Sequence, residues 1–299
     1  MPYDALIIGG GPAGLTAALY LGRARKRVLV CDAGPARNAA AHEVHGFTTR
    51  DGIPPAEFRR AAWADLEPYG VTRREARVHA IERVREGGFR ARLEGGETVE
   101  ARRILLALGV VDVLRDLPGY AELWGESIFI CPYCHGFEVR DQAWGLVAQG
   151  EHMVEHALFF RGWSRDLVVF LDGAPAPPPA VAERLERAGI RVEPRPLRAL
   201  HGAAGKLEAV ELADGTRIPR DVLFVRPTQR QTPLVESLGL ALNEHGYVQV
   251  NELFETSVPG IHAAGDLTTM MQGAILAAAD GARAANALNR AITLEDAER

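Results

Sequence analysis

Only three of the 299 residues are cysteine, too few for the disulfide framework of a secreted domain. Positive charge is not in excess either. The 34 basic side chains against 39 acidic ones leave a formal charge of −5, which gives no electrostatic case for nucleic acid or an anionic membrane. No uninterrupted apolar run approaches the roughly 18 residues of a transmembrane span. The start, Met1-Pro2-Tyr3-Asp4, lacks the basic region and apolar stretch of a signal peptide. These absences point to a cytoplasmic protein with neither nucleic acid nor membrane among its partners. What is present, 47% hydrophobic and 24% charged residues, is the composition of a soluble globular chain with room for two domains.

The N-terminus carries the most explicit pattern. Ala5 to Ile8 reads as a buried parallel strand that leads into Gly9-Gly10-Gly11-Pro12-Ala13-Gly14 and a helical stretch from Leu15 to Leu21. In G-x-G-x-x-G between strand and helix, Gly9 permits the tight turn and Gly11 the approach of a pyrophosphate. Gly14 permits close helix–strand packing, and the helix N-terminus supplies amide donors to phosphate. A second strand, Arg27 to Cys31, ends at Asp32, eighteen residues beyond Gly14, where a carboxylate can accept from ribose hydroxyls. Cys31 reads as a small buried core residue.

The polar stretch from Gly34 to Ile53, with His42 and His45, reads as irregular structure near a ligand. Helical spacing follows over 56–70, then short strands at 78–81, 89–93 and 98–108, the last running into Gly109. A second βαβ pattern begins after Pro118-Gly119. It comprises a strand at Trp144 to Ala148, a helix at Glu151 to Phe160 and a strand at Leu167 to Leu171. Next come a rigid Pro-rich loop at 174–179, a helix near Val181 to Ala188, and strands around 191–193, 207–212 and 222–225. A short strand at 248–250, the run Ile261-His262-Ala263-Ala264-Gly265-Asp266 and an alanine-rich helix at 274–288 close the chain.

Between the two patterns lies Cys131-Pro132-Tyr133-Cys134-His135. Two cysteines at this spacing mean redox chemistry or metal binding more often than a structural staple. No second cysteine pair exists to complete a four-thiolate zinc site. His152-Met153-Val154-Glu155-His156 spells H-x-x-E-H, the inverted zinc-protease pattern, but it falls within the helix of the second βαβ unit. No metal site is expected.

The runs Ile8-Gly9-Gly10-Gly11-Pro12-Ala13-Gly14-Leu15, Cys131-Pro132-Tyr133-Cys134 with Gly136-Phe137, and Ala263-Ala264-Gly265-Asp266 occur in one order along essentially the whole chain. On these motifs the chain resembles the low-molecular-weight thioredoxin reductases. The resemblance implies an α/β fold of two Rossmann-like domains (three-layer ββα). A discontinuous FAD domain (1–112 and 247–299) would flank an inserted, NAD(P)-domain-like segment (113–246) that bears the CxxC, and the protein would be a homodimer. It also implies an FAD site at Gly9, Gly11, Pro12, Ala13, Gly14, Asp32, Arg37, Asn38, Val78, Gly109, Gly265, Asp266, Gln272, Gly273 and Ala274. Gly265-Asp266 would lie at the ribityl and pyrophosphate portion, and Gln272-Gly273-Ala274 beside the isoalloxazine ring.

Two departures from that pattern direct the functional reading. Where the inserted domain should repeat the glycine fingerprint, the chain has Ala148-Gln149-Gly150-Glu151-His152-Met153, and where basic residues should grip a 2′-phosphate it has Asp172-Gly173-Ala174. An anion site without glycines or arginines is a poor NADPH site; Asp172 as a ribose acid favouring NADH is the alternative. The residue after the second cysteine is His135, where the reductases have aspartate. Cys-x-x-Cys-His is similar to the dithiol oxidases of natural-product pathways, the gliotoxin and holomycin type. The expected catalytic residues are Cys134, facing the flavin, Cys131, exchanging with substrate, and His135, moving the thiol proton in the neutral range. The expected function is oxidation of a dithiol, with oxygen as acceptor. The alternatives are an NAD(P)H- or other-donor-dependent disulfide reductase of the thioredoxin type, and a non-catalytic FAD-binding redox sensor; the expected substrate is a small-molecule dithiol or a protein disulfide.

Overall fold

Alternating apolar strands and helices with apolar faces bury only when helices cover a parallel sheet, and the chain does this twice. The computed structural model describes residues 2–85, 87–148 and 154–298. They divide into two compact units, one of residues Met1–Ala39, Gly46–Val111 and Gln229–Arg299, the other of Ala40–His45 and Asp112–Thr228.

In the first unit, parallel strands run in the order Thr72–Arg74, Val28–Cys31, Tyr3–Ile8, Thr98–Leu106. The long strand Thr98–Leu106 serves two neighbours. Its C-terminal half pairs in parallel with Ile261–Ala263, and its N-terminal half pairs antiparallel with the hairpin Phe89–Leu93 and Val78–Arg83. Ile8 is in register with both Cys31 and Leu106, so three strand ends meet where the glycine turn begins. Leu6, Leu29, Ile104 and Leu106 fill one face of the sheet, Ile7, Val30 and Leu105 the other. The helix Pro12–Arg23 and the C-terminal helix Ala274–Ala297 cross closely on the second face. Gly281 has no side chain there, and a Cβ would overlap the carbonyl of Ala13.

The second unit repeats the plan. Its five parallel strands run Arg191–Glu193, Leu167–Phe170, Trp144–Val147, Val222–Phe224, Ile128–Phe129. A three-stranded antiparallel meander follows, Leu197–Ala203, Lys206–Leu212 and Arg217–Pro219. Both units are therefore three-layer Rossmann-like folds.

The chain returns to the first unit at Gln229, eighteen residues before the expected 246/247 boundary. The reason is packing: Leu234, Val235 and Leu240 are buried in the same core as Leu6 and Ile104. The first boundary, 111/112, lies one residue before the expected 112/113. Residues 40–45, read as part of the first segment, cluster with the second unit instead. The expected strand at 248–250 is only a single bridge, Leu242 to Val248, and the last helix extends to Ala297. Among the described residues no helix is long and apolar enough to cross a membrane.

Candidate active site

The three fingerprint glycines do three different things. Gly9 has φ +114°, and a Cβ there would overlap the Ala107 carbonyl; a Cβ at Gly14 would overlap the Gly9 carbonyl. Both are fixed by the fold. A Cβ at Gly11 would meet nothing within 4 Å, so this glycine leaves open room at the end of a twelve-residue helix. Gly11 is the helix N-cap, Pro12 follows it, and no side chain caps the first turn. The amide donors there suit a pyrophosphate.

Around this end the fold gathers several of the expected residues. Gly265, at φ +87°, brings its backbone against the methyl of Ala13. Asp266 follows and accepts from Arg37 at 2.9 Å; Arg37 also donates to Gln272 at 2.7 Å. Gln272 in turn meets Gln229 (2.9 and 3.1 Å), whose side-chain oxygen takes the Tyr247 hydroxyl at 2.8 Å. Gln229 and Tyr247 were not legible as site residues, because they lie at distant positions with no shared spacing. Asp32 accepts from the Gly10 amide at 3.1 Å and is paired with Arg59, a third residue that no spacing along the chain marks. Gly109 (φ +64°) ends the strand–turn beside Val110. Val78 puts its side chain into the core, and Asn38 is exposed. Gly273 and Ala274 start the C-terminal helix as N-cap and first residue.

The second unit holds the thiols. Pro132–His135 is a single helical turn with Cys131 as its N-cap. No disulfide joins the two cysteines. The Cys134 thiol donates to the Cys131 sulfur, and despite burial this bond and the amides of Cys134 and Tyr133 hold Cys131 down at about 7. Cys134 has further interactions beyond this one. Cys31, by contrast, is pushed up to about 11 by burial.

His135 stacks on Phe129 and has neither ring nitrogen hydrogen-bonded among the described residues. Burial pushes its pKa down to about 4, with smaller contributions from His45 and His42. A histidine titrating near neutrality was expected; this one is neutral throughout the physiological range. Those two histidines arrive on the segment 40–45, where His42 pairs with Glu126 at 2.9 Å and His45 lies 3.1 Å from Glu43 and 3.6 Å from Glu138. Gly125 (φ +82°) allows this, since a Cβ would stand 2.7 Å from the Ala40 carbonyl oxygen.

A search against protein families matches residues 3–284 to the pyridine nucleotide-disulphide oxidoreductases. The chain belongs to this family. The thioredoxin reductase sirT of Leptosphaeria maculans is 34% identical over 96% of this chain and 93% of its own length. Among solved structures, HlmI superposes with a TM-score of 0.92 at 34% identity, over 99% of this chain and 94% of that one. An Agrobacterium tumefaciens oxidoreductase gives 0.91 at 36%, over 98% and 99%.

The chain is thus a thioredoxin reductase-like, flavin-dependent thiol–disulfide oxidoreductase with FAD as cofactor. The residues present fit that group, through the open room at Gly11 and the uncapped helix end. For a nicotinamide nucleotide the picture differs. The degraded fingerprint at 149–153 lies outside the described residues, as do His152 and Met153 of the H-x-x-E-H run. Asp172 is described, and its side chain is 7% exposed; its carboxylate accepts the Leu197 amide at 2.8 Å and pairs with Arg115 at 2.5 Å. It is a structural acid rather than one open to a ribose. Among the described residues no group of His, Cys, Asp and Glu could hold a metal ion.

Proposed function

We propose that this enzyme oxidises a small-molecule dithiol to a disulfide through Cys131 and Cys134, with oxygen as the final acceptor. The observation that carries the direction is the Cys131 sulfur, held at about 7 by the Cys134 thiol and two amides. Stabilising the thiolate stabilises the reduced pair, and a couple with a stabilised reduced form is the stronger oxidant.

A substrate thiolate attacks Cys131 in the Cys131–Cys134 disulfide, and Cys134 leaves. The second substrate thiolate then attacks the substrate sulfur of the mixed disulfide and expels Cys131, a good leaving group because its pKa is low. Substrate has lost two electrons and two protons; the cysteine pair has gained the electrons. FAD supplies the two-electron sink that restores the cysteine disulfide, with hydrogen peroxide as the product from oxygen. His135, neutral and with neither ring nitrogen hydrogen-bonded among the described residues, offers its unprotonated nitrogen as a hydrogen-bond acceptor to the incoming thiol, whose proton passes on to solvent. Gly11, the Pro12–Arg23 helix N-terminus, Asp32, Arg37, Asp266 and Gln272 bind and orient the cofactor in this reading.

Disulfide reduction driven by NAD(P)H is the second reading, favoured by relatives that bear the name thioredoxin reductase. The engaged state of Asp172 weighs against it. One titration separates the two. Under anaerobic conditions a dithiol should bleach the flavin, and air should restore its colour, while NADPH and NADH leave the spectrum unchanged on the same timescale. Rapid bleaching by either nucleotide would reverse the assigned direction; bleaching by nothing would leave a redox sensor. The homodimer is proposed on the family resemblance, and light scattering of the holoenzyme tests it.

A further inference from the structure

Three aromatic rings stand together at the redox turn. Tyr133, between the two cysteines, is 72% exposed and Phe159 is 40% exposed. Their ring centroids are 5.8 Å apart, and Trp163 meets Tyr133 at 5.4 Å and Phe159 at 5.0 Å, both edge to face. Trp163 is held rigidly beneath them. Its amide donates to the Phe160 carbonyl at 3.0 Å, its carbonyl accepts from Asp141 at 3.1 Å, and its ring lies so close to Gly136 that a Cβ there would be 2.9 Å away. A further exposed ring of the region, Phe137, already has the Arg140 guanidinium against it, 4.2 Å from its centre.

We propose that Tyr133, Phe159 and Trp163 form an aromatic subsite that receives a planar, apolar body of the substrate dithiol and so sets specificity. This rests on the dithiol-oxidation reading above. Tyr133 couples the subsite to the chemistry directly. Its backbone amide points at the Cys131 sulfur, while its ring belongs to the platform. An occupant in ring contact there carries its own sulfur toward Cys131. The exposed parts of the Tyr133 and Phe159 rings favour another aromatic group, and a preorganised floor lowers the ordering cost of binding it. Three rings match a small molecule, whereas a stable protein partner needs about 800 Å² on each side.

The test compares two dithiols on the holoenzyme in air, 1,2-bis(mercaptomethyl)benzene and butane-1,4-dithiol. Both place four carbons between the sulfurs and close the same size of disulfide ring. The aromatic one should have the higher kcat/KM by about threefold to tenfold, expressed in KM. In Tyr133→Ala and Phe159→Ala the ratio of the two kcat/KM values should fall to about one, and in Tyr133→Phe it should persist. Equal kcat/KM values in the wild type, or an undiminished ratio in both alanine variants, overturns the subsite. So does a reduced thioredoxin-fold protein that loses more rate in Tyr133→Ala than the aromatic dithiol does. Turnover of neither dithiol sinks the dithiol-oxidation reading. The subsite is then judged by binding of the redox-inert 1,2-bis(methylthiomethyl)benzene, followed by NMR. Saturable binding lost in Tyr133→Ala supports it, and no saturable binding ends it.

Discussion

The imidazole of His135 lies flat on the ring of Phe129, centroids 4.3 Å apart and planes 11° from parallel. Phe129 in turn meets Phe224, and Phe224 meets Trp144 and Phe160. The histidine is thus the outermost plate of an aromatic core, one residue from a redox sulfur. Its low pKa follows from that position, since burial penalises the charged ring.

His135→Ala should slow anaerobic flavin bleaching by dithiol about tenfold or more while FAD content stays the same. Because the ring is neutral down to about pH 4, the wild-type rate should show no histidine inflection near 6.5. Stopped-flow absorbance across pH 5–8 reads both. An unchanged rate in the variant removes His135 from the mechanism.

Alkylation of the reduced enzyme should separate the cysteines. At pH 7 iodoacetamide should modify Cys131, with a rate that rises through an inflection near 7, and should spare Cys31. Cys134→Ala removes the thiol that donates to Cys131, so the inflection should move upward, toward the ordinary thiol value of about 8.5. Peptide mass spectrometry follows each site. An inflection that stays near 7 in the variant refutes the role given to Cys134.

Gly11 and Gly14 should part company on substitution. Gly11→Val places its Cβ where no described residue comes within 4 Å, so the apoprotein should keep its melting temperature within a few degrees and lose bound FAD. Gly14→Ala drives a methyl into the Gly9 carbonyl and should cost folding itself. Flavin-to-protein absorbance ratios and thermal melts of the apoproteins distinguish the outcomes. A Gly11→Val protein that retains full FAD argues against a pyrophosphate there.

Acid should destabilise the fold in a defined window. His262 is 3% exposed, and burial first of all pushes its pKa down to about 4, against 6.5 unfolded. Between those values the unfolded chain binds more protons. The stability contributed by the neutral ring is complete above about 6.5 and is lost as pH falls toward 4. His262→Leu should therefore flatten the decline by roughly 1.4 kcal/mol per pH unit between pH 6 and 4.5. Urea unfolding of the two apoproteins at several pH values measures it; parallel declines would contradict the assignment.

The parallel strands and the first fingerprint were readable because their apolar runs and glycines are local signals. The strand Leu197–Ala203 escaped, since its Arg, His, Gly and alanines have little strand preference of their own and prolines precede it. Its partner Lys206–Leu212 determines it. The 246/247 boundary was misplaced for the same kind of reason. Leu234, Val235 and Leu240 look like any apolar residues until the core they enter is known. The identity of His135 was visible, and its charge state was not, because that depends on Phe129 and on histidines ninety residues away. Arg59, Gln229 and Tyr247 belong to contacts between distant segments, which spacing along the chain does not encode.

The six residues Ala40–His45 count with the CxxC unit although they come from the first sixth of the chain. Gene fragments cut at 112 and 228 would leave them behind, stripping Gly125 and Glu126 of Ala40 and His42. Exchange of redox modules among homologues then becomes a two-piece transplant. A chimera that moves only the long insert inherits a mismatched strap from its host.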